Sequence, residues 1–484
     1  RDWGSGSHAA PREASSAYRN RQTSWLKPSA EGVEMAEMLT QGWRRGRQLA
    51  ARLWRAKLVI LEFAVLVGVL VASRRFAVAN WKLPAGDVTE YFQYAQAFWL
   101  GRPPLHALPV EYPPLSILPF SLTLLPPLPD FQSVFSWWMA GTVLLGYAGF
   151  LRFSTRRRGI AYILYLLIGA DAVLLARYDI IPALVTLAAL WATERKRFTL
   201  AYLLLAAGIL LKLYPAFLLP VVMIAQWQTQ SHSEGATVEG GIRARLAGIL
   251  RAEATKRVAL GAGLCVGLTG VGFAIAYVLA GASAFTGFTY ASDRPLQVES
   301  TPASLLWLGT LVGIPAHEDF SFLSLNYVGV LDGLLKPLSA LALLGGCLWV
   351  YWRQARGYLP VGQAFLACLC AVVVTNKIFS PQYLIWLLPI VATVDGFSLV
   401  WIAICLLTTL DFPILYGMRN PIWTVTYSWQ FMPVVTLRNA LLVYATLRAI
   451  LWPRRAAPRE PEKTPDANTE ERDERKGARP ALIG

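Results

Sequence analysis

Gly86-Asp87-Val88-Thr89-Glu90-Tyr91-Phe92-Gln93-Tyr94 follows directly on residues 56–75, the first apolar segment of membrane length, and Glu111-Tyr112-Pro113-Pro114-Leu115 closes the polar stretch it opens. Uncompensated charge in hydrocarbon is expensive, so these carboxylates and paired prolines belong at a bilayer surface. An acid held at that boundary can take a proton from a hydroxyl substrate while a lipid-linked partner lies alongside. The rest of the chain decides whether that arrangement is used.

Composition sets the class. With 55% apolar residues, 15% charged and 18 Trp, and a mean hydropathy of +0.42, the chain reads as a polytopic all-α membrane protein. The formal charge of +15 raises nucleic acid as a partner, but the basic residues lie mostly in short runs between apolar segments, the pattern that orients helices in a bilayer. Nucleic-acid binding is therefore not expected. Cys265, Cys347, Cys368, Cys370 and Cys405 all fall inside apolar stretches without zinc-ligand spacing, and read as small buried hydrophobes. Residues 1–42 and 456–484 lack hydrophobic periodicity and read as disordered cytoplasmic segments flanking a transmembrane domain over 43–455. The first apolar segment has no small-residue cleavage pattern after it and is read as a retained helix.

Apolar segments near 56–75, 133–153, 159–174, 179–193, 198–212, 214–227, 258–280, 328–352, 359–376, 382–395, 397–412 and 430–452 predict about twelve spans, several short enough to be tilted or half-spanning. Basic clusters at Arg44 to Lys57, Arg156-Arg157-Arg158, Arg195-Lys196-Arg197, Arg243 to Arg257, Arg353 with Arg356, and Arg454-Arg455 fall on one side, which predicts that side and both termini as cytoplasmic in the cell membrane. Arg74 and Arg75 break this rule at the outer end of the first segment. The opposite face then receives residues 76–132, 281–327 and 413–429. The spacing of Tyr91, Tyr94, Phe98 and Trp99 predicts an interfacial amphipathic helix, and Leu115 to Leu125 a short docking or re-entrant one. No Gly-x-x-x-x-Gly-Lys-Ser/Thr loop, His-Glu-x-x-His or long repeat occurs, so ATP hydrolysis and zinc proteolysis lack their usual machinery.

The polar residues are not scattered. Asp87, Glu90, Glu111, Asp171, Arg177, Asp179, Lys212, Arg294, Gln297, Glu299, Asn376, Lys377 and Gln382 all map to outer turns or outer helix ends. A transferase using a polyprenyl-phosphate sugar needs such a set: cations to neutralise the departing phosphate, and a carboxylate to activate the acceptor hydroxyl from the other side of the anomeric carbon. The activated donor supplies the energy, so no nucleotide site is required.

The Gly86-Asp87 element, the aromatics after it and the Tyr112-Pro113-Pro114-Leu115 closure resemble the first outer loop of GT-C glycosyltransferases. The nearest resemblance is to the family 87 group, which includes polyprenol-phosphate-mannose-dependent α-mannosyltransferases of phosphatidylinositol mannoside assembly. The catalytic subunit of GPI mannosyltransferase I is more distantly similar. Arg177-Tyr178-Asp179, Lys212-Leu213-Tyr214-Pro215, Asp293 to Ser300 and Asn376 to Tyr383 resemble further segments of family 87, in order, so that the likeness runs over residues 55–452. It implies a GT-C fold, inverting transfer of a hexose from a lipid-phosphate sugar to a lipid or glycolipid acceptor, and Asp87 as the catalytic base. It implies Lys212, Arg294, Arg177, Lys377 and Tyr214 on the donor side, and Glu111, Tyr112, Asp179, Gln297, Glu299 and Gln382 around the acceptor and sugar. Asp87 is followed by Val88 and Thr89, so the Asp-x-Asp pair of many such loops is missing and no metal or other cofactor is assigned.

Plainer roles stay open to each residue. Asp87 can cap the following helix and Glu90 can favour its dipole. Tyr112-Pro113-Pro114 can simply turn the chain into a helix, Arg177 and Asp179 can form a structural ion pair, and Lys212 can snorkel from a helix end. A secondary transporter or lipid flippase is the alternative function. It would place its ionisable groups near the bilayer midplane; Glu62 and Asp332 are the clearest charges within or near spans, and the polar clusters otherwise lie at one surface.

Overall fold

The computed structural model describes residues 43, 47–48, 57, 59–75, 86–100, 112–231, 253–416 and 428–452. The flanking segments 1–42 and 456–484, and Glu111, lie outside these. The chain divides into Arg1–Val69 and Leu70–Gly484. In the first unit residues 59–69 are helical; everything below concerns the second.

About 80% of the structure is helical. After a helical turn at 70–75 come α1 (Gly86–Trp99), α2 (Phe131–Phe153), α3 (Arg156–Gly169), α4 (Ile180–Glu194), α5 (Phe198–Leu211), α6 (Leu219–Ser231) and α7 (Glu253–Ala280). Then follow α8 (Thr286–Asp293), α9 (Thr301–Thr310), α10 (Asp332–Ala355), α11 (Val361–Thr375), α12 (Tyr383–Val394), α13 (Leu399–Thr409) and α14 (Ser428–Leu451). Side-chain oxygens cap several starts: Asp130 accepts from Ser133 N at 3.1 Å, Thr155 from Arg158 N at 3.3 Å and Ser300 from Ala303 N at 3.2 Å, each satisfying an N–H that the helix leaves unpaired.

Among the described residues four helices are long and apolar enough to cross a membrane: those over Phe131–Phe153, Glu253–Asp293, Asp332–Ala355 and Gln430–Leu451. Others over expected spans are apolar but only 10–17 residues long. Local chemistry sets their ends. The 159–174 segment breaks at Ala170 (φ −141°, ψ 5°) ahead of a separate turn, Asp171–Leu174. The 198–212 segment stops where Lys212 becomes extended (φ −158°, ψ 137°), and Tyr214–Leu218 forms a 3-10 turn before α6.

The core lies along α11 and α12, where Gln363 to Val374 and Leu384 to Thr393 are buried without interruption. Helices apolar on every face belong in such a centre. Helices α3, α4, α10 and α14 pack around them. By contrast α7 and α10 present mostly exposed apolar side chains, such as Leu260, Val266 and Val278 on α7, the surface a hydrocarbon environment accepts.

The segment expected as an outer loop, 281–327, is ordered into helix and strand. Strands β1 (Leu296–Gln297), β2 (Ala316–Ser321) and β3 (Ser324–Gly329) form an antiparallel sheet in the order β1-β3-β2, with Leu296 opposite Tyr327 and Tyr327 opposite Glu318. This small sheet is an addition to the helical fold. Leu296, Val298, Leu306, Leu325 and Tyr327 pack against Phe431, Met432 and Val435 of α14, so the loop is fastened to the last helix. The interfacial helix expected after Asp87 is α1, and the short helix expected at 115–125 is the compound turn Pro114–Leu124.

Candidate functional site

Helix α1 is held by its first aromatic. Tyr91 is fully buried, its ring stacked on Phe120 at 4.2 Å and edge-on to Tyr112 and Tyr178 at 6.0 and 5.8 Å, with Phe135 of α2 behind it at 5.5 Å. Those contacts fix the N-terminus of α1, and with it Asp87. Burial above all, with Asp179 next, raises Tyr91 and Tyr178 well above ordinary phenol values, so both remain neutral hydroxyls.

Asp87, Glu90, Tyr112, Arg177, Lys212, Arg294, Gln297 and Gln382 line one cavity of about 200 Å³, together with Tyr290, Ser324, Ser380 and Tyr383. Residues separated by some three hundred positions thus meet in a single polar hollow, bounded by α1, the ends of α5 and α8, the sheet and the turn before α12.

Each cation is held differently. Arg177 pairs with Asp87, and both side chains keep about a quarter of their surface exposed, 22% and 27%. Burial pulls the Arg177 guanidinium below its usual value, while Asp179 pushes it back up. The Lys212 ammonium lies 2.8 Å from Asp179 Oδ1 and 5.2, 4.8 and 5.3 Å from the ring centroids of Tyr112, Tyr178 and Trp386. This is an aromatic cage closed by a carboxylate. Arg294 donates to Ser324 Oγ at 2.8 Å and lies over the Tyr290 ring at 5.6 Å. Among the described residues no carboxylate lies within ion-pair distance of it, which leaves Arg294 the cavity cation best able to receive an anion.

Four predicted residues sit behind the wall and not on it. Asp179 is buried and accepts from both Lys212 and Trp386 Nε1 (2.6 Å), so it orients the cage. Tyr214 is buried, stacked on Trp386 at 4.5 Å, with its hydroxyl 3.0 Å from that of Thr186; its place in the 3-10 turn directs it into the core and away from a donor. Lys377 donates to the carbonyls of Ser292 (2.6 Å) and Arg294 (2.9 Å), so its charge braces the Arg294 turn. Glu299 is buried beneath Gln297, whose Nε2 donates to Glu299 Oε2 at 3.1 Å.

Behind Glu299 lies a cluster absent from the sequence reading. Arg438 and Asp411, both fully buried, are 2.7 Å apart; Arg438 Nη2 donates to Glu299 O at 2.5 Å, and Asn439 Nδ2 to Glu299 O at 3.1 Å and Ser304 Oγ at 2.8 Å. Burial, then the Asp411 charge, raises Glu299 well above the usual carboxylate range despite Arg438. The signal was present: a charge inside an apolar stretch demands a partner, and Asp411 and Arg438 stand in two such stretches. Tyr290, Ser324 and Tyr383 carried no such mark. Among the described residues no group of three or more His, Cys, Asp or Glu side chains is placed to hold a metal ion.

No protein-family model matches this chain, and a search of curated proteins finds no match to it either.

Proposed function

We propose that this protein is an integral membrane glycosyltransferase. It transfers a hexose, mannose before others, from a polyprenyl-phosphate sugar to a lipid-linked or cell-envelope acceptor at the outer face of the cytoplasmic membrane, with inversion. The observation that carries this reading is the convergence of Asp87, Arg177, Lys212, Arg294 and Gln382 on one wet cavity in an otherwise apolar helical protein. About twelve crossings, a GT-C architecture and cytoplasmic termini belong to the same proposal, with the shorter apolar helices crossing as tilted or partial spans against the four long ones.

The acceptor hydroxyl attacks the anomeric carbon as the bond from that carbon to the phosphate oxygen breaks. Asp87 takes the hydroxyl proton, and the prenyl phosphate leaves carrying the negative charge. In the resting site Asp87 is held by its ion pair with Arg177. A donor phosphate that draws Arg177 towards itself relieves that pairing. Arg294 and Lys212 stabilise the leaving phosphate in a site prepared before it arrives, and Gln297 and Gln382 offer hydrogen bonds to sugar hydroxyls.

The test is purified protein mixed with a panel of dolichyl- and decaprenyl-phosphate sugars and membrane lipid extract, followed by mass spectrometry. A lipid gaining one hexose supports the proposal and identifies the donor. No increment with any donor, combined with accumulation of an unaltered substrate in vesicles, would establish transport instead.

A further inference from the structure

Arg74 and Arg75 stand at the end of the first apolar segment that should carry few basic residues in the proposed orientation. Two cations kept against that bias need something to face. Arg74 Nε donates to Ser136 Oγ of α2 at 2.9 Å, and the preceding Ser73 donates to Asp171. No carboxylate among the described residues lies within ion-pair distance of either arginine; Asp130 attracts Arg74 from beyond contact. Both arginines line a second cavity, of about 180 Å³, whose remaining wall is largely apolar: Leu70, Val71, Trp137, Ala140 and Leu175. That volume is more than ten times the roughly 10–15 Å³ that admits one water.

This cavity neighbours the first. Leu175 lines one and Arg177, two residues on, lines the other, while Phe135 of α2 touches Tyr91 and the next residue, Ser136, faces Arg74. A charged end beside an apolar wall matches a phospholipid: the forked guanidinium donors suit phosphate oxygens, and the wall suits the first carbons of the chains. A zwitterionic headgroup would bring its ammonium to two guanidiniums, so a net negative lipid fits better. The geometry points to this cavity as a binding site for the phosphate headgroup of an anionic membrane phospholipid, separate from the donor cavity. That the bound lipid is the acceptor rests on the transferase reading; that a lipid binds here does not.

Binding needs no turnover, so it can be tested apart from catalysis. Detergent-purified protein is offered equimolar phosphatidylglycerol and phosphatidylcholine and examined by native mass spectrometry. The wild type should retain phosphatidylglycerol in preference, R74Q/R75Q should lose that preference by about tenfold, and K212Q/R294Q should keep it. Val71→Trp, which fills the apolar wall and leaves both guanidinium charges in place, should weaken retention as well and guards against misfolding of the double variant. Unchanged retention in both R74Q/R75Q and Val71→Trp would overturn the proposal. So would loss of the preference in K212Q/R294Q alone, which would put the lipid in the other cavity. Displacement by soluble glycerophosphoglycerol at the same concentration as the lipid would show a phosphate site with no role for the apolar wall, and would also overturn it.

Discussion

Two aspartate–arginine pairs in this molecule look alike in sequence and differ in consequence. Asp87 and Arg177 meet on the wall of an open polar cavity, each partly exposed, whereas Asp411 and Arg438 are sealed at 0% exposure, 2.7 Å apart. In the open pair water and ligand compete for both partners, so the charges stay available for chemistry. In the sealed pair the guanidinium is spent on structure: it serves Asp411, the Glu299 carbonyl and Asn439 Oδ1, and lies 4.3 Å over the Phe379 ring. It thereby ties α14 to the helix kink at 411 and to the turn carrying Gln297 into the cavity. Burial decides which pair can react and which can only fasten.

The contrast breaks first at Asp87. Asp87→Asn should reduce sugar transfer by about 10²–10⁴-fold, the span expected for a general base. Its thermal unfolding should stay close to wild type, because a partly exposed ion pair contributes about 1 kcal/mol or less. Transfer at the wild-type rate would remove Asp87 from the mechanism. Arg438→Ala should do the reverse in kind, costing about 3–5 kcal/mol of stability by stranding a buried carboxylate, read as a lowered unfolding transition in detergent. Replacing both members by apolar residues, Asp411→Leu with Arg438→Met, should recover most of that loss. An Arg438→Ala protein as stable as wild type would mean that the sealed pair fastens nothing.

The two pairs also differ in how they could be found. The helical membrane class was legible because apolar runs and basic connections obey simple rules, and the Asp87 loop was legible because carboxylates and prolines interrupt them. Lys212, Arg294 and Gln382 could be placed on one face by counting segments, and the structure brings them to one cavity. Counting could not tell wall from backing: Tyr214 and Lys377 stand within a few residues of cavity-lining side chains, yet one points into the core and the other grips two carbonyls. The β2–β3 hairpin was invisible because its charged, half-exposed sequence, Ala316 to Ser321, resembles any polar loop until Leu325 and Tyr327 find α14. One helix was drawn too long, where the Ala170-Asp171 turn cuts the 159–174 run that hydropathy joins, whereas the break at Lys212-Leu213 falls where the sequence placed it.

Glu299 joins the sealed cluster to the open cavity, and pH should reveal the join. Its carboxyl group is raised above the usual range, chiefly by burial. Between the unfolded value and the raised folded one, the native state therefore holds a proton that the unfolded chain has released. The contribution is full below the ordinary carboxylate range and is lost as pH rises towards the folded value, by at most about 1.4 kcal/mol per pH unit. Thermal midpoints should fall as pH rises above the ordinary carboxylate range. Glu299→Gln should flatten that slope while keeping the hydrogen bond to Gln297 possible. An unchanged slope would assign the pH dependence to another group.

The smallest effect should come from Lys377, and it separates bracing from contact. Its ammonium holds the carbonyls of Ser292 and Arg294 at 2.6 and 2.9 Å, and burial, with Lys336 nearby, lowers its pKa. Lys377→Met removes both bonds at the base of the turn that presents Arg294, but leaves the Arg294 bond to Ser324 in place. A loss of about 1 kcal/mol in donor affinity is expected, roughly a fivefold rise in the donor KM with little change in kcat. If kcat falls instead while KM holds, the ammonium must act on the phosphate in the transition state, since only interactions made there lower kcat. Lys377 would then belong to the reacting wall with Arg294, not behind it.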